Sequence, residues 1–247
     1  MRKEGYQLLV LQSNDSLATE MLNIRVCSDQ LVDGMIVSLS AETKSIEHLK
    51  DAGDVGIPIV LFDKCADNKI FDQVIINDVA AAIQCTDYLI NSGAKTIAGI
   101  FGNEELSITK LRLNGFRKAL QLAGFSDDSI HIEFASGMNE AKEKTLKVIN
   151  DFHPDAFFYM SDEVLAGLLP AIKEAGLNIP NNCKIAGISD GTLPLILDPQ
   201  VTHYHHNGFD VGAAAAKRLI ELIRNPSTEH QPKTIVIDGA IKELKSA

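Results

Sequence analysis

VIINDVAAAIQCTDYLINSG, residues 74–93, carries two periodicities in one stretch. Val74, Ile75 and Ile76 form a short β-favouring run. Val79, Ala82, Ile83, Thr86, Leu89 and Ile90 then fall on one helical face, Asp78 sits where the helix dipole favours an anion, and Gly93 supplies the stop. The stretch is predicted to be a strand feeding directly into an amphipathic helix. The same change of period recurs outward in both directions. Strands are predicted at 6–11, 34–38, 58–62, 74–76, 96–101, 130–134, 156–160, 184–188, 201–205 and 234–238, with helices filling the gaps. Two of those helices are well delimited, one over 162–175 ended by Gly176 and one over 209–224 ended by Asn225-Pro226. Alternation of this kind implies parallel sheets with right-handed crossovers, hence a doubly wound α/β architecture. Two lobes suit it better than a (β/α)8 barrel, which has no place for the adjacent strands at 58–62 and 74–76.

Composition narrows the partners. With 45% hydrophobic and 23% charged positions, the 247 residues read as a globular chain, and 33 acidic against 23 basic residues give a formal net charge of -10. Binding to a polyanion needs clustered Lys and Arg, so direct DNA binding by this chain is excluded as an expectation. No apolar run approaches the ~20 residues that cross a bilayer, and Met1-Arg2-Lys3-Glu4-Gly5 has no signal-peptide core. Cys27, Cys65, Cys85 and Cys183 stand far apart without CxxC or zinc-ligand spacing, which points to a reducing cytoplasm. Neither GxGxxG nor GxxxxGK[ST] occurs, so no nucleotide cofactor is expected.

In an open parallel sheet the ligand sits beyond the carboxyl ends of the strands. The residues there are Asp63, Gly102, Ser161-Asp162 and Ser189-Asp190. Asp and Ser in such places also cap helices and form turns, and Ser161-Asp162 precedes a helical face, so a capping role competes with a ligand role.

The order and spacing of ten segments go further. They are VDGMI at 32–36, IPIV at 57–60, VIIND at 74–78, LINSG at 89–93, RLNGF at 112–116, DEVLAG at 162–167, EAGLNIP at 174–180, IAGISD at 185–190, DPQVT at 198–202, and Gly212 with the alanine-rich helix behind it. Together they resemble the effector-binding domain of the lactose-repressor family of bacterial transcription regulators, which shares its two-lobed fold with periplasmic sugar-binding proteins. The resemblance implies a periplasmic-binding-protein-like (type I) domain in which the chain crosses three times between lobes. Lobe one would comprise 1–77 with 206–226, and lobe two 78–205 with 227–247.

It also implies a site. Asp63 matches the carboxylate that the family directs at sugar hydroxyls, and Arg112 the arginine that forks onto neighbouring hydroxyls. Met138 falls near an aromatic or apolar wall. Ser161 stands where asparagine is usual, Ser189 where aspartate is usual, and His206 where glutamine is common, so hydrogen-bonding capacity is kept with one carboxylate fewer. The implied function is non-enzymatic: a sugar or related polar effector closes the two lobes, and a homodimer relays the change to operator DNA through a helix-turn-helix headpiece that this chain does not contain. Arg2-Lys3-Glu4-Gly5 resembles the tail of the family's first effector-domain helix, so a first strand and helix are also expected to be missing, leaving sheet edge and apolar surface exposed.

Three alternatives come from the residues themselves. Gly187-Ile188-Ser189-Asp190-Gly191 satisfies the G-x-S-x-G pattern of a serine hydrolase, with Asp198 and His203, His205 or His206 as partners, but Thr192-Leu193-Pro194 allows only a turn or two of the helix that the elbow needs. His203 and His205 share one strand face and would allow a two-histidine metal site without a third ligand. A periplasmic-type sugar carrier would share the fold and differ by carrying an export signal.

Overall fold

The computed structural model describes residues 1–65, 70–226 and 230–247. In chain order the elements are α1 (Leu17–Asp29), β1 (Met35–Val37), α2 (Glu47–Asp54), β2 (Ile59–Phe62), β3 (Asp72–Ile76), α3 (Asp78–Asn91), β4 (Ile97–Phe101), α4 (Ser107–Leu122), β5 (Ile130–Phe134), α5 (Met138–Phe152), β6 (Ala156–Tyr159), α6 (Asp162–Glu174), β7 (Lys184–Ser189), α7 (Leu193–Ile196), β8 (Thr202–His205), α8 (Gly208–Arg224), β9 (Thr234–Ile237) and β10 (Ala240–Lys242). Short helical turns precede α1 and β5. Among the described residues no helix is long and apolar enough to cross a membrane.

The elements form two units. The first, Met1–Ile76 with Phe209–Ile237, holds a four-stranded sheet in the order β1-β2-β3-β9, all parallel. Its core gathers Leu49 and Ala52 of α2 onto Val37, Ile59 and Leu61 of the sheet, with Phe71 beside them. The second, Asn77–Gly208 with Asp238–Ala247, holds a six-stranded sheet in the order β10-β8-β7-β6-β4-β5. Every pair in it is parallel except β10 against β8. Both are doubly wound sheets of the expected class.

The stretch at 74–93 folds as its periodicities dictate. Asn77 caps α3 by accepting the Ala80 amide at 3.1 Å, and Ala81, Ala82, Cys85, Thr86 and Leu89 are buried along one face. Two glycines let helices come close. A Cβ on Gly115 would lie 2.4 Å from the Val79 carbonyl oxygen, and one on Gly167 2.3 Å from that of Met138, so α4 seats against α3 and α6 against α5. Phe101, Phe116 and Phe158 pack under these helices with ring centroids 5.2 to 5.5 Å apart. Fully burying such a side chain stabilises the fold by about 1.5–3 kcal/mol.

Three expectations are corrected. Residues 6–11 are not a strand, and Leu8, Leu9, Val10 and Leu11 are exposed. An apolar run becomes a strand only where a neighbour offers a ladder, and none pairs with it. The tail of the chain divides differently from the expected boundary: Thr234–Ile237 pairs with β3 from Gln73↔Thr234 to Ile76↔Ile237, which brings 230–237 into the first unit rather than the second. Residues 77 and 206–208 fall in the second unit, and β10, which no periodicity announced, closes that unit's sheet against β8.

Candidate functional site

Parallel pairing of β8, β7, β6, β4 and β5 brings five carboxyl ends to one rim of the second unit. Ser161 and Asp162 follow β6, Ser189 ends β7 with Asp190 after it, and His205 ends β8 with His206 after it. Met138 opens α5 just beyond β5 and is 51% exposed.

Asp162 and His205 each bring a polar atom with unmet capacity to this rim. Asp162 Oδ1 and His205 Nδ1 are both buried atoms with no hydrogen-bond partner. Burial raises the Asp162 carboxyl above its ordinary range, the Ser189 hydroxyl and the Gly191 amide act against that, and Asp190 adds to it. Burial lowers the His205 imidazole, and Lys242 lowers it further, against the pull of Asp190 and Asp162. A carboxyl oxygen accepts and an imidazole nitrogen donates or accepts, as the hydroxyls of a polyol require.

The other expected residues divide. Ser161 is the α6 N-cap, its hydroxyl accepting the Val164 amide at 3.4 Å. Ser189 is 2% exposed, and its hydroxyl accepts the Gly191 amide at 3.2 Å. His206 is 9% exposed, with its amide on the Ser189 carbonyl at 3.3 Å. Arg112 is not the solvated arginine that its place early in a helix suggests. It is 4% exposed, its Nε donates to Asp78 Oδ1 at 2.7 Å and its Nη1 to the Met160 carbonyl at 2.5 Å, so it ties the start of α3 to the end of β6.

Asp63 belongs to the first unit. It follows β2 with a left-handed backbone (φ 57), its amide donating to the Val74 carbonyl at 3.1 Å and its side chain exposed. The polar groups near it are mutually satisfied. Asp15 accepts Lys64 Nζ at 2.7 Å and the Ala41 amide at 3.1 Å. Burial pushes the Asp15 carboxyl up, but those contacts outweigh it and leave the group below its ordinary range. Buried Glu20 accepts the Ser40 amide at 2.5 Å, the Thr43 hydroxyl at 2.9 Å and His48 Nε2 at 2.7 Å, which fastens the loop after β1 onto α1.

The alternatives meet geometry too. The helix after Ser189 is α7, four residues long, too short for a nucleophile elbow. The His203 and His205 rings meet edge to face at 5.7 Å, and among the described residues no group of three metal-binding side chains is assembled. Sequence reasoning placed Ser161-Asp162 and Ser189-Asp190 among the strand-end candidates and left out His205 as an effector group. The signal was present: the rule that selects strand ends applies to the end of β8 as it does to β6 and β7.

Comparison with known proteins bears on the family and the fold. Residues 86–241 match the family model described as periplasmic binding protein-like domain. The HTH-type transcriptional repressor PurR of Aliivibrio fischeri is 26% identical over 98% of this chain and 74% of its own length. Catabolite control protein A of Priestia megaterium is 28% identical over 91% of this chain and 68% of its own. A LacI family transcriptional regulator from Enterococcus faecium, solved with bound ribose, superposes with a TM-score of 0.87 at 20% identity, over 100% of this chain and 89% of that one. The chain belongs to the periplasmic binding protein-like domain family, as an effector-binding domain of the LacI type.

Proposed function

We propose that this chain is the sensing part of a cytoplasmic transcription regulator, and that its effector is a sugar or a related small polar molecule held at the strand-end rim of the second unit. The observation that supports this most directly is the pair of buried, unpartnered atoms, Asp162 Oδ1 and His205 Nδ1, beside the Ser189 hydroxyl. A buried polar atom without a partner costs about 1–3 kcal/mol, a cost that a bound hydroxyl removes. Ser161 and His206 extend the polar rim and Met138 gives it an apolar wall, while Asp63 of the first unit is a candidate hydroxyl acceptor on the resemblance alone. Arg112 acts through its ion pair with Asp78, which fixes the place where β6 ends.

An effector that binds one arrangement of the two units better than another shifts the population toward it. That differential affinity is what a regulator passes on, here through a homodimer and a DNA-reading headpiece carried by the full regulator, since a net charge of -10 suits this chain poorly to DNA. The test is a thermal-shift screen with pentoses, hexoses, disaccharides and sugar phosphates. At least one compound is expected to raise Tm, by the equivalent of about 2.7 kcal/mol at a hundredfold excess over Kd. The shift should disappear in His205→Ala. A flat response across the panel, or a shift unchanged in that variant, contradicts the assignment.

A further inference from the structure

The loops at the carboxyl ends of the second unit's parallel strands carry one sign of charge. Residues 102–106 after β4, 135–140 after β5, 160–164 after β6, 190–192 after β7 and 206–208 after β8 contain no lysine or arginine. They do contain Glu104, Glu105, Glu140, Asp162, Glu163 and Asp190. The cations on neighbouring elements are already engaged. Arg112 is buried on Asp78 and the Met160 carbonyl, Lys110 reaches Glu105 at 3.5 Å, and Lys144 holds Glu140 at 2.8 Å and the Phe134 carbonyl. Lys242 stands on β10 opposite His203, two residues short of the end of β8. Among the described residues Glu104, Asp162, Glu163 and Asp190 form no ion pair.

The helix starts at this rim do not offset that charge. A helix N-terminus attracts an anion, but here the chain supplies its own. Asp162 and Glu163 occupy the first turn of α6 behind the Ser161 cap, and Glu140 in the first turn of α5 accepts the Ser136 amide at 2.6 Å. Ahead of α4, Asn103 Oδ1 accepts the Glu105 amide at 2.9 Å. The fold already resists negative charge at the rim, since burial, and with it Asp190, raises the Asp162 carboxyl.

What such a rim accepts follows from these groups. A ligand hydroxyl donates to Asp162 Oδ1 and pairs with His205 Nδ1 without adding charge. A phosphate or carboxylate would bring negative charge beside carboxylates that no lysine or arginine balances, in a partly buried setting where salt screens weakly. We propose that the effector is an uncharged sugar or polyol, and that phosphorylated and acidic sugars are turned away by the rim's own carboxylates. The proposal rests on the effector reading of this rim and narrows it by repulsion of the wrong ligand.

Isothermal titration calorimetry tests it on the sugars of the thermal-shift panel, each measured beside its own phosphate, for instance glucose with glucose 6-phosphate and ribose with ribose 5-phosphate. At least one uncharged sugar is expected to bind, with its phosphate weaker by about tenfold or more, and the gap should narrow between about 0.02 M and about 0.3 M salt. The double variant Glu104→Gln with Glu163→Gln removes two exposed charges that touch no proposed contact. It should keep the parent sugar's affinity and narrow the gap by at least about threefold. A phosphate that binds as tightly as its parent, or binding confined to phosphates, overturns the proposal and leaves the effector reading standing. A gap indifferent to both salt and the double variant also overturns it, because the preference then has another origin. A panel flat throughout contradicts the effector reading, and the proposal falls with it.

Discussion

The two units each bury one arginine–carboxylate pair, and the pairs are wired differently. In the first unit Asp72, with no side-chain exposure, accepts Arg218 Nε at 2.9 Å and the Lys233 amide, with His230 Nε2 3.0 Å away. Arg218 keeps 12% of its side chain exposed and also reaches Glu221 at 3.0 Å. In the second unit Asp78 and Arg112 are 4% and 5% exposed, and Arg112 spends its Nε on Asp78 and its Nη1 on a carbonyl. One pair is a redundant network at the start of β3, where β9 joins the sheet. The other is a tight link beneath the rim proposed to bind the effector. The difference teaches where each unit is vulnerable, because losing one partner of a buried ion pair leaves the other charge buried without its counter-ion.

The largest expected effect follows from that. Arg112→Ala should destabilise the second unit by about 3–5 kcal/mol, since it leaves the Asp78 carboxylate buried without its guanidinium. Arg218→Ala should cost the first unit less, about 1–3 kcal/mol, because Arg218 is the more exposed guanidinium and the Lys233 amide remains on Asp72. Urea denaturation of both variants checks the order. Equal losses, or the larger loss at Arg218, would break the contrast between link and network.

A smaller effect is expected from pH, and it belongs to the second unit. Burial lowers both His203 and His205 below their ordinary value of 6.5. A histidine whose folded value is depressed leaves the unfolded chain with more bound protons below 6.5, so stability is lost as pH falls from there toward the folded values. Asp162, raised by burial, works with the opposite sign in the carboxylate range: its ionisation costs the folded state, and that cost is relieved as pH drops through its folded value toward 3.8. Denaturation midpoints at pH 7.5 and 5.5 should therefore fall on acidification, and His203→Gln should flatten the fall. A midpoint that rises between those values would contradict the burial of the two imidazoles.

Much of the fold was legible because it is local. The strand–helix succession at 74–93, the acidic residue Asp78 at the helix start and the stop at Gly93 each depend on neighbours within a turn or two. What escaped is non-local. Residues 6–11 have a strand's composition but lack a strand's neighbour, and β9 joins β3 across about 160 residues, so the tail could not be assigned to a unit by reading along it. Three-residue β10 has too little pattern to announce itself. The site was legible in outline for the same reason: strand ends can be counted, and Ser161, Ser189 and His206 come to the rim by topology alone. Arg112 was half read, since its type and position suggested a ligand contact while its burial against Asp78 and the Met160 carbonyl depends on how α3, α4 and β6 meet. Unmet capacity at Asp162 and His205 is a property of burial, which no spacing reveals.

The central claim is that the second unit's rim holds the effector, and hydrogen–deuterium exchange with and without a thermal-shift ligand tests it most directly. Backbone amides of bound segments exchange more slowly because opening then requires release of the ligand. Slowed exchange is predicted at 160–163, 189–192 and 205–207, the three strand ends that carry Ser161 and Asp162, Ser189 and Asp190, and His205 and His206. Exchange unchanged at all three, with protection confined to other segments, would contradict the account.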